Sequence, residues 1–293
     1  LKFKMTGPTK YNCVNCGARA TALYRTYGPT VLKLTKCVIC KGIVDKYIEY
    51  DPVIVMIDLV LMSKEAQRHV LYNTEFKAHL KLLVILIMVE TYGVWHNNSL
   101  FNIVTNIICG IDRGDSTTLN VSLLEYWNSS CWAWVQDEKT DDSDLFIWEK
   151  DFYIQFISTF AGIAVFILTV HVLMRAVRQF APHNEVPVAR LLKAFSLAHV
   201  SVLSTLPALV WGDGGAGGPH AHDHAHVGPG PGSDTRAVHY LLVSAYCYFV
   251  FLNVFTVAYE CPAYITSFIL IISNIMKFLT SFHTTPQLRR LIS

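Results

Sequence analysis

Four runs of apolar residues, 152–174, 191–211, 238–259 and 264–282, constrain this chain more than anything else in its 293 residues. Each is about long enough to cross the ~30 Å hydrocarbon core of a bilayer as a helix. Inside lipid a single segment must satisfy its own backbone polar groups, which an α-helix does and an isolated strand does not. Composition agrees: 52% of residues are hydrophobic and 16% charged, where an ordinary soluble domain carries about 25% charged residues. The chain reads as a polytopic α-helical membrane protein. Two shorter apolar stretches, 82–95 and 99–111, precede these runs and read as one span plus an interfacial helix. That span is short, and snorkelling of Lys77 and Lys81 extends its reach.

The head of the chain carries different chemistry. Cys13-Val14-Asn15-Cys16 and Cys37-Val38-Ile39-Cys40 are two C-x2-C knuckles, a pattern that reads as a four-thiolate zinc site. Each knuckle presents two sulfurs from one tight turn. Two knuckles close a tetrahedron and leave no open position, so the site is structural. Gly17 and Gly42 follow the two pairs, where knuckle turns need a permissive backbone. Residues 23–27 and 31–35 flank Gly28-Pro29, which predicts strand, turn, strand. Residues 11–45 are therefore expected to form a small N-terminal β zinc ribbon, inside a first domain spanning 1–52. Its core is too small to fold unaided, and bound metal contributes about 10–16 kcal/mol in zinc-finger peptides. Two disulfides, or iron in a rubredoxin-like site, are the competing readings of these cysteines.

Lys46-Tyr47-Ile48-Glu49-Tyr50-Asp51-Pro52 joins the ribbon to an apolar stretch, 53–62, that carries Asp58. That stretch is too short to span, so residues 53–81 are expected to be an interfacial or re-entrant segment. Within it, Lys64, Arg68, Lys77 and Lys81 alternate with Val70, Leu71, Phe76 and Leu80. This is either a helix lying on an anionic membrane face or a helix packed on the ribbon. Residues 82–293 form the multi-span domain, with an acidic loop at 96–151 and a disordered Gly/Pro/His-rich loop at 212–236.

Charge sets the expected orientation. Lys and Arg crowd residues 1–81, whereas Arg113, Lys139 and Lys150 face ten carboxylates between residues 112 and 151. Arg175, Arg178, Arg190 and Lys193 fill the next short loop. The positive-inside rule puts the ribbon and that short loop in the cytosol and the acidic loop in the lumen. The sequons at Asn97, Asn120 and Asn128 all fall beside or within the acidic loop, and Asn120 and Asn128 are the candidate glycosylation sites. Cys109 and Cys131 share that loop and are candidates for a disulfide. Five spans leave Arg289 and Arg290 in the lumen, against the rule. Four spans, with the last run interfacial, remove the conflict.

Glu90, His171, His199 and Lys277 stand inside apolar runs. An ionisable group at a helix centre costs roughly 2.5–3.5 kcal/mol on insertion scales, which makes each one a site hypothesis. Glu90 is the costliest to explain as packing and is a candidate functional residue. His220, His222, His224 and His226 form an alternating tract. Its spacing in a glycine-rich loop imposes no fixed coordination geometry. No Gly-rich phosphate loop, G-x-S-x-G or H-E-x-x-H is present, so no catalytic residue is assigned. Lys33, Lys36, Lys41 and Lys46 make the ribbon basic. Anionic headgroups are its expected partner rather than nucleic acid, each lysine near the surface contributing about 1 kcal/mol.

Cys13-x2-Cys16, Leu23-Tyr24-Arg25, Val31-Leu32-Lys33, Cys37-x2-Cys40 and Val44-Asp45 through Pro52 resemble the Arv family. Gln67-Arg68-His69-Val70-Leu71-Tyr72-Asn73 and Trp148-Glu149-Lys150-Asp151-Phe152-Tyr153 are similar to later landmarks of that family. The resemblance is strong over residues 11–75 and patchy to about 155. It implies an endoplasmic-reticulum protein of sterol and lipid homeostasis, tied to sphingolipid balance and glycosylphosphatidylinositol anchor assembly, with no catalytic residues. It puts weight on the four cysteines and on Tyr47, Glu49 and Asp51. Expected partners are sterols, glycolipid intermediates and lipid-biosynthetic membrane enzymes. An adaptor that moves no lipid, and a membrane acyl- or glycosyltransferase, are the alternative functions.

Overall fold

The computed structural model describes residues 11–27, 32–75, 78–96, 100–109, 131, 145–178, 187–206 and 232–292. The Gly28-Pro29 turn, the sequons at Asn97, Asn120 and Asn128, the carboxylates of 112–144 and the histidine tract lie outside them. The described chain forms four short strands and eight α-helices. These are β1 Tyr11–Asn12, β2 Arg19–Ala20, β3 Tyr24–Thr26, β4 Leu32–Leu34, α1 Pro52–Val60, α2 Lys64–Arg68, α3 His79–Trp95, α4 Leu100–Cys109, α5 Leu145–Arg178, α6 Val188–His199, α7 Gly232–Tyr259 and α8 Ala263–Ile292. The chain divides into two compact units, one of residues 1–82, 177–198 and 249–267, the other of 83–176, 199–248 and 268–293.

In the first unit β3 and β4 pair antiparallel, Arg25 opposite Lys33, as the strand–turn–strand reading expects. A second antiparallel pair, β1–β2, sets Asn12 opposite Arg19 across the first knuckle. An isolated bridge between Lys36 and Ile43 does the same for the second. The core here is small: Cys13, Leu23, Cys37 and Val44 are buried, with Tyr11, Ala18, Ala20 and Ile48 against them. A second cluster, Val14, Tyr47 and Ala66, brings in Val55 and Leu59. It packs α1 and α2 onto the first knuckle. Of the two readings of residues 63–81, packing on the cysteine module therefore describes α2.

The start of α1 follows from its first residues. Asp51 is extended and its carboxylate accepts the Val53 N–H at 2.9 Å, with Pro52 in the first turn. This satisfies an orphan donor where proline removes another. Nine residues give a helix about 14 Å long, far short of a bilayer. None of its residues is buried, and Val53, Met56 and Val60 are each at least 60% exposed.

In the second unit, α5 runs without interruption through 34 residues. Among the described residues three helical stretches are long and apolar enough to cross a membrane: Glu149–Val177, Tyr240–Tyr259 and Ala263–Leu291. All three include residues of both units, the first only at Val177. Helix α3 reaches 17 residues. The run 191–211 departs from a single regular span. It is α-helical to His199 and continues as a 3-10 helix over Val200–Thr205, and residues 207–211 lie outside the description. Helices α5 and α8 meet closely at Gly162, where a Cβ would come within 3.3 Å of the Lys277 carbonyl oxygen. Below that contact Ser158 and Thr285, both fully buried, share a hydrogen bond of 2.7 Å. Phe101 packs on Phe278 and Trp95 on Phe152. Cys109 and Cys131 form a disulfide, as the shared loop suggested.

Candidate metal centre

The backbone brings all four cysteines of the two knuckles together. Their sulfurs lie within 4.8 Å of one another. Cys13 Sγ is 3.8 Å from Cys40 Sγ, and Cys16 Sγ is 3.7 Å from Cys37 Sγ. A disulfide needs about 2.05 Å; these four are free thiols. Cys13 and Cys37 are buried while Cys16 and Cys40 are exposed, so each knuckle contributes one inner and one outer ligand. The knuckles repeat the same backbone bonds. Gly17 N–H donates to the Cys13 carbonyl at 2.9 Å and Lys41 N–H to that of Cys37 at 3.1 Å. Cys13 N–H reaches Ala18 and Cys37 N–H reaches Gly42, both at 2.7 Å.

One detail corrects the sequence reading of the glycines. Gly17 does hold the left-handed turn, at φ 74°, but in the second knuckle that position belongs to Lys41, at φ 63°. Gly42 serves another purpose. A Cβ there would stand 3.0 Å from Asn15 Nδ2, and that amide donates to the Ile43 carbonyl at 3.1 Å, tying one knuckle to the other.

Without a cation the thiols have unequal proton affinities. Burial, followed by hydrogen bonds shared with Cys16 and Cys40, pushes Cys13 up to about 12. Burial likewise raises Cys16. Burial opposes ionisation of Cys37 as well. Even so, the N–H groups of Cys40 and Ile39 and the neighbouring thiols bring it down to about 7. Four thiolates this close are compatible with one another only around a positive ion, and the donor set suits a soft or borderline metal.

Around the cluster stands a layer of polar residues that spacing did not reveal. Asp45 is fully buried. It accepts from the Tyr47 N–H at 3.0 Å, from Asn73 Nδ2 at 2.7 Å, and pairs with His69 Nδ1 at 2.7 Å. Arg68 donates to the carbonyls of Val14 and Asn15, at 2.7 and 2.8 Å. Asn73 exchanges two hydrogen bonds of 2.9 Å with the backbone of Asn12. The resemblance over residues 67–73 and the odd density of polar residues in Gln67-Arg68-His69 and at Asn73 were the signals that pointed here.

The other singled-out residues divide between the two units. Tyr47 is buried, and its hydroxyl donates to Asp58 Oδ2 at 2.7 Å; burial and that bond push it up to about 12. This accounts for Asp58 in an apolar stretch. Lys46 pairs with Glu65 at 2.6 Å, a contact that raises its affinity for its proton. Asp51 caps α1, and Glu49 is exposed. In the second unit Glu90, His199 and Lys277 converge. Lys277 Nζ lies 2.5 Å from Glu90 Oε1, and His199 Nε2 lies 3.1 Å from Glu90 Oε2. Each partner comes from a different helix, and His199 sits where α6 passes into the 3-10 helix. His171 is not part of that group.

Comparison with known proteins identifies the relatives. A model of the Arv1-like family matches residues 12–214, more than half of the chain. Protein ARV1 of Bos taurus is 29% identical over 205 residues, which are 69% of this chain and 60% of that protein. Protein ARV1 of Mus musculus is 30% identical over 201 residues, 69% of this chain and 63% of its own length. Protein ARV1 of Homo sapiens reaches 45% identity over 86 residues, 29% of this chain and 32% of that one. The chain thus spans less than two-thirds of the length of the first two. No solved structure matches. The match across most of the chain, including both knuckles and the segment packed on them, makes it a member of the Arv1-like family.

Proposed function

We propose that this chain is a non-enzymatic, multi-pass endoplasmic-reticulum protein. Its role is to mediate sterol and lipid transport out of that compartment, with links to sphingolipid metabolism and glycosylphosphatidylinositol anchor assembly. Family membership is the observation that carries the reading; the helices of spanning length supply its membrane setting. The cysteine module is a zinc ribbon that holds one structural Zn2+ through Cys13, Cys16, Cys37 and Cys40. A tetrahedron with ~2.3 Å Zn–S bonds has edges of about 3.8 Å, and the two knuckle-to-knuckle separations of 3.8 and 3.7 Å suit it. An all-thiolate site leaves no place for a substrate, so bound zinc contributes folding energy.

The ribbon faces the cytosol and the 96–151 loop the lumen, where Asn120 and Asn128 carry glycans. The charge asymmetry supports this, and so does the Cys109–Cys131 disulfide, since such bonds persist in oxidising compartments. Residues 1–52 act as the ribbon domain, 53–81 as the interfacial segment and 82–293 as the membrane domain. In the interfacial segment the exposed apolar side chains of α1 enter the headgroup boundary. Tyr47 and Asp51 set the angle at which α1 leaves the ribbon, and exposed Glu49 is left for a partner. Glu90 serves helix packing through Lys277 and His199. That pairing weighs against the transferase alternative, which needs a carboxylate available for chemistry.

Purified full chain in donor liposomes should speed movement of a labelled sterol to acceptor liposomes, and four-fold Cys→Ser protein should not. Absence of transfer, with stoichiometric co-purification of a lipid-biosynthetic enzyme, would replace transport by the adaptor reading. Product formation abolished in Glu90→Gln would replace both by the enzyme.

A further inference from the structure

The five residues after Arg68 do something no helix cap requires. Over His69–Asn73 the backbone winds as a π-helix, and Thr74 N–H donates to the His69 carbonyl five residues back, at 3.1 Å. In an α-helix residues five apart point roughly 140° away from each other. The wider π turn brings Asn73 back toward the side of Arg68, so both reach the same knuckle. Arg68 takes the carbonyls of Val14 and Asn15, the two residues between the first pair of cysteines. Asn73 takes both backbone groups of Asn12, the residue before Cys13. The loop that presents Cys13 and Cys16 is thus held from outside by one short segment. Single-turn π segments are found often at functional positions.

The same segment holds helix ends in its own unit. The α7 helix stops at Tyr259, Glu260 turns left-handed at φ 53°, and Pro262 follows. Proline has no N–H, so the Ala258 carbonyl lacks its usual i+4 donor. The Tyr72 hydroxyl lies 3.1 Å from that oxygen and 3.1 Å from the Val257 carbonyl oxygen. It caps the helix. At the other end of the segment Lys193 of α6 donates to the carbonyls of Leu71 and Thr74, at 3.3 and 2.6 Å. Arg190 lies over the Tyr72 ring, 4.9 Å from its centre.

We propose that Arg68 and Asn73 are positioning residues of the metal site, and that Tyr72 couples that site to the end of α7. This rests on the zinc-ribbon reading. Holding the cation keeps the Asn12–Cys16 backbone in the shape that Arg68 and Asn73 grip, which keeps the π turn wound and Tyr72 on its carbonyls. Metal loss loosens the loop, then the turn, then the cap on α7. The coupling runs both ways, because any interaction that stabilises the loaded loop raises its affinity for metal.

The test uses full-length protein purified in detergent with its zinc content measured. Arg68→Met and Asn73→Ala should weaken zinc retention against a competing chelator by roughly 10–100-fold, as loss of an outer-layer partner does elsewhere. Arg68→Lys, which keeps a donor, should lose less than Arg68→Met. Tyr72→Phe leaves the knuckle contacts in place, so it should weaken zinc retention less than Arg68→Met or Asn73→Ala, and by about the same factor by which chelation of the parent speeds exchange at the α7 end. Chelation of the parent should speed amide hydrogen exchange in residues 254–259 while exchange in the middle of α5 stays unchanged. In Tyr72→Phe that segment should exchange fast already, with little further change on chelation. Zinc-loaded parent whose Arg68 and Asn73 variants hold metal equally well overturns the positioning role. Parent whose α7 end is indifferent to chelation overturns the coupling. Parent that binds no zinc at all is a separate result, and it overturns the zinc-ribbon reading together with this one.

Discussion

Asp45 and Glu90 are two carboxylates withdrawn from water by opposite means. Asp45 is fully buried in the cysteine module among an amide, a backbone N–H and an imidazole. Glu90 lies in an apolar helix and keeps 19% of its side chain exposed. It is matched by the ammonium of Lys277, with His199 alongside. In the module the carboxylate ties strands of backbone together, and the donors it needs come from polar sequence nearby. Among apolar helices few polar groups are at hand, so a charge is met by a charge from another helix. The difference teaches where each is vulnerable. Loss of Asp45 leaves polar groups short of an acceptor; loss of Glu90 leaves a cation stranded.

The largest effect should come from breaking the Glu90 pair on one side. Glu90→Gln leaves Lys277 without its counter-charge; with these side chains 19% and 25% exposed, the cost should fall toward the lower end of the about 3–5 kcal/mol seen when a fully buried pair is broken. Resistance to denaturant of the detergent-purified protein should fall accordingly. The double variant Glu90→Gln/Lys277→Met removes both charges and should recover most of the loss. Equal stability of single variant and parent would mean that the pair does not hold these helices. Asp45→Ala should cost less, about 1–3 kcal/mol, the cost of leaving buried donors without their acceptor. Hydrogen exchange should rise in residues 11–20 and 69–74 and stay unchanged in α5. A rise in α5 of the same size would show that the carboxylate acts beyond its module.

How much of this was legible in sequence differs between the two regions. The four cysteines announced their cluster through spacing, because C-x2-C is the shortest link that aims two sulfurs at one point. The β3–β4 pair was legible for a similar reason, with Gly28-Pro29 between runs of strand-forming residues. The two-residue strands β1 and β2 are too short to show any alternation. Glu90, His199 and Lys277 stood out because apolar neighbours make any charge conspicuous. Their meeting could not be read, since it depends on how three helices pack. Asp45 stood inside the stretch that carries the family resemblance, but nothing in the sequence marked it as buried, because a carboxylate among Lys41, Lys46 and Glu49 looks solvated. Its burial is a tertiary result of α2 and the π turn folding onto the knuckle. The break of the 191–211 run at His199 was equally invisible, since hydropathy does not distinguish an α from a 3-10 backbone.

A smaller change sharpens the contrast at the boundary of the module. Asp51 is a carboxylate too, but an exposed one that makes a single cap bond to Val53 N–H. Asp51→Ala should cost about 1 kcal/mol, the usual value of an N-cap. It should be felt as faster exchange in the first turn of α1 with zinc retention unchanged. A loss of metal in this variant would place Asp51 in the support of the thiolate site instead.

The smallest expected effect runs the other way. Lys41 holds a left-handed backbone that its counterpart Gly17 adopts without strain, and a non-glycine residue there costs of order 1 kcal/mol. Glycine also gives the unfolded chain more freedom, which offsets part of the relief. Lys41→Gly should therefore stabilise the module slightly, by a few tenths of a kcal/mol up to about 1. It would be detected as slower release of metal to a chelator. The Lys41 N–H bond to the Cys37 carbonyl is a backbone bond that glycine keeps, so that contact is not lost to mask the gain. The control is Gly42→Ala, where a Cβ meets Asn15 Nδ2 at 3.0 Å and disturbs the bond between the knuckles. If these two neighbouring changes moved metal retention in the same direction, backbone strain at Lys41 and close approach at Gly42 would not be what shapes the second knuckle.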